Sequence, residues 1–111
     1  MPIDARVHRS RHIRKRILLM LAAADEGCPG VGIAHGQILG AFANEANPYT
    51  AEEIGRELAD LGGDGLIHSS ADPYGGPLPE RIYDITSRGR DFVRAQFPWG
   101  GIDEFSGAQR P

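Results

Sequence analysis

Residues 49–93 decide the fold, and they read YTAEEIGRELADLGGDGLIHSSADPYGGPLPERIYDITSRGRDFV. Thr50 followed by Glu53 forms a capping box, in which the hydroxyl accepts from the third helical amide and the carboxylate accepts from the cap amide. Apolar side chains then recur at helical spacing, at Ala51, Ile54, Leu58 and Leu61. A glycine pair at 62–63 ends this period. The sequence therefore predicts a capped amphipathic helix.

A short hairpin and another helix follow. Residues 65–67 (GLI) lead into one strand, and residues 81–85 (RIYDI) form a second strand with alternating sides. Between them, residues 69–79 are so rich in Gly and Pro that we expect a loop without regular structure. Thr86 is expected to cap the next helix. The side chains expected to point inward from that helix are Phe92 and Val93.

Two further helices are predicted upstream. The first covers residues 11–25, with Ser10 as its cap. Its buried stripe is expected to comprise Ile13, Ile17, Met20, Leu21 and Ala24. The second covers about residues 35–46 and ends at Asn47-Pro48. Residues 1–10 contain Pro2 and no apolar period, which predicts an irregular N-terminal arm. The predicted fold is mainly α with a small antiparallel β-hairpin.

Residues 54–67 (IGRELADLGGDGLI) and 82–89 (IYDITSRG) resemble winged helix-turn-helix regulators of the PadR, MarR and ArsR types. Those regulators have paired leucines in the third helix, a Gly-Leu-Ile lead into the wing, and Tyr-x-Ile-Thr-x-x-Gly after it. The matching positions are Leu58, Leu61, Gly65, Leu66, Ile67, Tyr83, Ile85, Thr86 and Gly89. The resemblance implies a winged-helix fold and a homodimer, with the third helix in the DNA major groove and the wing on the backbone or minor groove.

This resemblance suggests a division of the chain into three parts. They are a basic N-terminal arm at residues 1–10, a winged-helix domain at 11–96 and an aromatic C-terminal tail at 97–111. The tail carries several large apolar groups, so we expect it to pack on the body or on a second subunit. The residues predicted to take part in dimerisation are Phe97, Trp99 and Phe105.

Length and composition fit one cytoplasmic domain. The chain has 111 residues and a single cysteine, Cys28, which excludes an intramolecular disulfide and suits a reducing compartment. No apolar run reaches the ~18 residues needed to cross a membrane. Residues 17–24 (ILLMLAAA) after basic residues could be read as a secretory leader, but Asp25-Glu26 follow at once and the residues fit a longer helical period. We therefore interpret them as helix.

The charge is distributed unevenly. The net charge is −3, yet the first 16 residues hold six cationic side chains against the single carboxylate of Asp4. Such a basic segment can neutralise phosphates, or it can be a solvated helix face that offsets the acidic remainder. Together with the resemblance, this predicts a transcriptional regulator that binds double-stranded DNA. The candidate DNA-binding residues are Arg9, Arg11, Arg14, Lys15, Arg16, Tyr49, Thr50, Arg56 and Arg81.

The third helix argues against that function. Residues 50–64 hold five carboxylates and one cation, Arg56, and a carboxylate that faces phosphate opposes DNA binding. The alternative is therefore a winged-helix protein-interaction module whose acidic third helix binds a protein partner and not DNA. DNA binding requires that the arm, the wing and Arg56 lie on one surface. A protein-interaction module is favoured if the exposed side of the third helix is negative and the arm lies on the opposite side.

Catalysis and metal binding find no support in the sequence. Cys28, His12, His35 and His68 have none of the paired spacings typical of a zinc site. The glycines from Gly30 onward lack the spacing of a phosphate-binding loop. No nucleophile is paired with a base. We expect a protein that is not an enzyme and that uses no metal or cofactor.

Overall fold

The computed structural model describes residues 2–43, 49–71 and 81–97, with side chains from Val7 onward. These residues form four helices and a three-stranded antiparallel sheet, which confirms a mainly helical chain with a small sheet. The elements in chain order are α1 (Pro2–Gly27), β1 (Ile33–Ala34), α2 (His35–Ala41), α3 (Ala51–Gly63), β2 (Ile67–Ala71), β3 (Arg81–Ile85) and α4 (Ser87–Gln96).

The sheet has the strand order β1-β3-β2. The β2–β3 pair is the predicted hairpin, with Ile67 opposite Ile85 and Ser69 opposite Tyr83. Strand β1 was not predicted, and it places Ile33 opposite Tyr83 on the other edge of β3. A two-residue strand is too short for an alternating pattern, so only the pairing with β3 identifies it.

The predicted start of α1 is wrong. The helix begins at Pro2 and not after Ser10, so residues 2–10 are helical and not irregular. Proline is favourable in the first turn because its fixed φ fits the helix and the amide that it lacks would have no partner there. From Ile13 onward, buried side chains occupy several sides of α1, since this helix contacts α3, β3 and α4.

The prediction for α3 is confirmed at both ends. The Thr50 hydroxyl accepts from the Glu53 amide at 3.0 Å, and the Glu53 carboxylate accepts from the Thr50 amide at 3.0 Å. At the other end, the Leu66 amide donates to Leu61 and the Gly65 amide donates to Gly62. Gly65 has φ of +77°, a conformation that glycine adopts without steric cost. These bonds fix the turn from α3 into β2.

Two other boundaries differ from the prediction. The helix predicted over residues 35–46 ends at Ala41, and residues 44–48 lie outside the described part of the chain. Residues 69–71, predicted as loop, continue β2. There, pairing with β3 supplies hydrogen bonds that outweigh the weak strand preference of the Ser-Ser-Ala sequence. The rest of the predicted loop, residues 72–79, lies outside the described residues.

Helix α4 is capped by Thr86 as predicted, and its hydroxyl accepts from the Gly89 amide at 2.9 Å. Val93 is buried, but Phe92 is 40% exposed, so the prediction that both point inward is wrong for Phe92. Neighbouring positions on a helix are about 100° apart, and only one of them can face the core. Gly89 lies so close to β2 that a Cβ atom would be 2.1 Å from the Leu66 carbonyl oxygen.

Candidate nucleic-acid interface

The first turns of α3 are tied to α1 by an arginine-carboxylate pair. Arg9 donates from Nε to Glu53 Oε2 and from Nη2 to Glu53 Oε1, both at 2.8 Å. The Arg9 bonds, followed by the Thr50 amide, hold the pKa of the Glu53 carboxyl at about 2. The same contact raises the pKa of Arg9. Charge-assisted bonds in this forked geometry fix direction as well as distance.

Arg14 binds three more carboxylates of the same region. Its Nε donates to Glu57 Oε1 at 2.7 Å, its Nη2 lies 3.3 Å from Asp60 Oδ2, and its Nη1 lies 3.5 Å from Asp64 Oδ2. Glu57 is buried, whereas the side chains of Asp60 and Asp64 remain 52% and 56% exposed. The hydrogen bond with Glu57 is the main cause that raises the pKa of Arg14.

The acidic character of α3 is thus confined mainly to the side that faces α1. Residues 53, 57, 60 and 64 recur every three or four positions and therefore lie along one side of the helix. That side is neutralised in part by Arg9 and Arg14. The solvent-facing side opposite the apolar positions 54, 58 and 61 is the outer face of α3. Its members are Glu52, Gly55, Arg56 and Ala59. Glu52 is the one carboxylate of residues 50–64 on that face.

Tyr49, a predicted DNA contact, is surrounded by side chains of the fold. The Arg9 guanidinium carbon lies 4.4 Å from the centre of its ring, and the His12 ring stacks at 5.8 Å. Phe42 meets it edge-on at 5.6 Å. Aromatic and cation-π contacts of this kind hold Tyr49 against the body of the protein. Thr50 is exposed, but its hydroxyl is already engaged in the helix cap.

Two further basic residues of α1 contact other elements. Arg16 donates to the Ala41 carbonyl at the end of α2 and lies 4.7 Å above the Phe42 ring. The Lys15 ammonium lies 5.3 Å from the centre of the Phe97 ring. Arg9, Arg14, Lys15 and Arg16, which the sequence placed together in a basic segment, are therefore distributed among several intramolecular contacts.

The other cations among the candidate DNA-binding residues are Arg11, Arg56 and Arg81, and they lie on or beside the outer face of α3. A groove of about 800 Å³ runs between α1 and α3, and both Arg11 and Arg56 line it. We call it the α1 groove. Arg11 and Arg56 are exposed, and among the described residues neither has an ion pair. The two carboxylates in its lining are Glu53 and Glu57, which Arg9 and Arg14 already bind.

A second groove, of about 490 Å³, lies between α3 and the β2–β3 hairpin. We call it the hairpin groove. Arg81 lines it and donates to the Ser69 hydroxyl at 2.9 Å. That partner is uncharged, so the positive charge of Arg81 is retained. Gly55 and Ala59 form the α3 wall of this groove, with His68 and Ser69 on the strand side. The outer face of α3 is therefore flanked by an arginine on each side.

Two features of the hairpin groove were not predicted from the sequence. They are the wall formed by the small residues Gly55 and Ala59, and the presence of His68. The pattern was nevertheless present, because residues 52, 55, 56 and 59 share a helix side opposite the apolar positions 54, 58 and 61. A separation of the helix into three sides would have shown that most carboxylates avoid the outer face. Which element would lie beside each side could not be read from residues 49–64 alone.

The predicted dimerisation residues are only partly described. Phe97 packs against the core of its own chain, whereas Trp99 and Phe105 lie outside the described residues. Phe97 and the exposed Phe92 line a third groove of about 370 Å³ between α1 and α4. Leu18, Leu61 and Leu66 form its apolar floor. This surface lies at the point from which the C-terminal tail continues.

Other features of the described residues bear on the class of protein. No group of three or more His, Cys, Asp or Glu side chains within residues 7–43, 49–71 and 81–97 is arranged to hold a metal ion. Cys28 is exposed and unbridged. None of the helices that the structure describes has the length and apolar character needed to cross a membrane. Comparisons with protein-family models and with curated proteins found no match to this chain.

Proposed function

We propose that this protein is a winged-helix regulator of transcription that binds double-stranded DNA in the cytoplasm as a homodimer. The order α3-β2-β3-α4 is the one that the resemblance implies, with β2–β3 as the wing. The observation that carries the proposal is the position of Arg11, Arg56 and Arg81 around the outer face of α3. In this proposal α3 enters the major groove, and Arg11 and Arg81 contact the phosphates on either side.

The carboxylates of α3 are less of an obstacle than the sequence suggested. Arg9 and Arg14 bind those on the α1 side, and the outer face carries one acidic and one basic side chain. Asp60 and Asp64 keep part of their charge exposed, which predicts modest affinity. The homodimer rests on the resemblance and on the exposed Phe92 beside the third groove.

The alternative is a protein-interaction module that uses α3 as an acidic surface. It would need several unpaired carboxylates on the exposed side of the helix. The arrangement supports it less well than DNA binding, because Glu53 and Glu57 are held by arginines of the same chain. A wild-type protein that does not bind duplex DNA at low salt would favour this alternative.

Fluorescence anisotropy with a labelled random-sequence duplex tests the proposal. We expect binding at low salt that weakens linearly in a plot of log K against log salt concentration. The double variant Arg11→Ala/Arg81→Ala should weaken binding and flatten the slope by about two units. Arg94→Ala serves as the control, because Arg94 is an exposed arginine of α4 outside both grooves. Absence of duplex binding by the wild-type protein at low salt would overturn the proposal.

A further inference from the structure

The outer face of α3 offers very few groups that could distinguish one base pair from another. Gly55 and Ala59 have no hydrogen-bonding side chain, which leaves Glu52 and Arg56. Both are exposed, and within the described residues neither takes part in an ion pair or a side-chain hydrogen bond. The other carboxylates of the helix are directed to α1. Any hydrogen-bonded recognition of bases by this face must therefore come from one carboxylate and one guanidinium.

These two groups have defined partners in the major groove. A guanidinium donates two parallel hydrogen bonds to O6 and N7 of guanine, and a carboxylate accepts from N4 of cytosine. Glu52 and Arg56 are four residues apart on one helix side, which places their Cβ atoms about 6 Å from each other. Successive bases of a strand are about 3.4 Å apart along the helix axis. The two head groups can therefore reach the same or adjacent base pairs.

The small residues between them support a close approach. A helix with Gly55 and Ala59 at its contact surface has few atoms that hold its backbone away from the base edges. Outside its own helix backbone, no described group lies within 4 Å of a Cβ atom built on Gly55, so packing among the described residues does not account for the glycine. In a winged helix the first turns of α3 make the base contacts, and Glu52 and Arg56 lie in those turns.

We infer that Arg56 and Glu52 make this protein selective for DNA sites that contain a G·C pair, with Arg56 on guanine and Glu52 on cytosine. This inference rests on the proposed function and adds the bases that the surface selects. It also assigns Glu52 a role in specificity and not in affinity, since its charge opposes the phosphates while its oxygens accept from cytosine.

Selection of binding sites from a random duplex library tests the inference, with the full chain and its variants. We expect the wild-type protein to enrich sites that share a guanine-cytosine pair. Arg56→Ala should lose the preference for that guanine by about tenfold to a hundredfold, because alanine donates neither hydrogen bond. Arg56→Lys should retain more of the preference, because an ammonium can also donate to O6 and N7. Both variants should keep salt-dependent binding. Glu52→Gln should bind duplex DNA more tightly and discriminate less strongly against other base pairs at that position.

A modified base tests the contact atom directly. Replacement of the selected guanine by 7-deazaguanine, which lacks N7, should weaken wild-type binding and have little effect on Arg56→Ala. Duplex binding by the wild-type protein without enrichment of any sequence, or the same preferred site for Arg56→Ala, would overturn the inference and leave the proposed function intact. Lack of wild-type binding to any duplex at low salt would overturn the proposed function together with the inference. Circular dichroism of each variant verifies that it is folded.

Discussion

Arg9 and Glu53 join α1 to the N-terminus of α3 through two hydrogen bonds of 2.8 Å. The same carboxylate accepts from the Thr50 amide and so completes the helix cap. One side chain therefore stabilises a local structure and a contact between residues that are 44 positions apart in the sequence. This arrangement fixes the side of α3 that faces α1, and by exclusion the side that faces solvent.

The Glu53 carboxyl should make stability dependent on pH in the acidic range. Its pKa is about 2 in the folded protein, against an ordinary value of 4.5. The folded state thus favours the charged form, and the stabilisation is complete above pH 4.5 and lost as the pH falls toward 2. We expect Glu53→Gln to be less stable than wild type at pH 7, with a difference that shrinks between pH 4.5 and 2. Urea denaturation at several pH values measures it.

The control for that experiment is Glu52→Gln, since Glu52 is in the same helical turn and has no ion pair within the described residues. Its stability relative to wild type should change little over the same pH range. An equal pH dependence in the two variants would contradict the assignment to the Arg9 contact.

Loss of Arg14 should destabilise the protein through Glu57. Arg14→Ala leaves a buried carboxylate without its 2.7 Å partner. We expect a loss of about 1–3 kcal/mol, since Arg14 is one-third exposed and solvent screens part of the interaction. The double variant Arg14→Met/Glu57→Leu should recover most of it, because an apolar pair removes the buried charge. Denaturant unfolding measures both, and a double variant no more stable than Arg14→Ala would contradict this reason.

Gly89 should be intolerant of even a methyl group. Alanine normally favours a helix over glycine by about 1 kcal/mol. At position 89, however, the Cβ atom would lie 2.1 Å from the Leu66 carbonyl oxygen and 2.7 Å from Ile85 Cγ1. We expect Gly89→Ala to lower the free energy of unfolding by about 1–3 kcal/mol. Gly55→Ala is the matched control, since no described atom outside its own helix backbone lies within 4 Å of its Cβ position, and it should be neutral or stabilising.

Salt titrations should separate surface arginines from those used within the fold. Arg81→Ala removes a charge whose partner is the neutral Ser69 hydroxyl, so the slope of log K against log salt should fall by about one unit. Arg14→Ala should leave the slope unchanged, because that guanidinium is bound to carboxylates. Anisotropy at a temperature where both variants are folded measures the slopes. Equal slopes for the two variants would contradict this division.

Substitution of Phe97 and of Phe92 should distinguish packing within the chain from self-association. Phe97 is half-buried on the core, so Phe97→Ala should cost about 1–2 kcal/mol, less than a fully buried phenylalanine. Phe92 is 40% exposed, so Phe92→Ala should cost less than Phe97→Ala, at about 1 kcal/mol or below. If the third groove forms the proposed dimer interface, the mass of Phe92→Ala by sedimentation should decrease toward that of a monomer. A dimeric Phe92→Ala would remove this surface from the interface.

Local chemistry allowed several elements to be predicted from sequence. The Thr50 capping box, the helix stop at Gly62-Gly63 and the Thr86 cap all depend on residues within four positions of each other. The alternating strand at 81–85 depends likewise on its own pattern. Such signals do not require knowledge of the neighbouring elements, and the structure confirms each of them.

Long-range contacts determined the features that could not be predicted from the sequence. The sequence contains both the basic residues of α1 and the acidic residues of α3, but their pairing depends on how two helices pack across more than 40 residues. That packing places Arg9 and Arg14 against carboxylates of α3. It leaves Arg11, Arg56 and Arg81 on or beside the outer face of α3. It also buried Val93 in place of Phe92 and added β1 to the sheet. The sequence by itself determined α3, the β2–β3 hairpin, the cap of α4 and the charge of each element. Only the tertiary structure determined which charges cancel, because Coulomb attraction depends on distance in space and not along the chain.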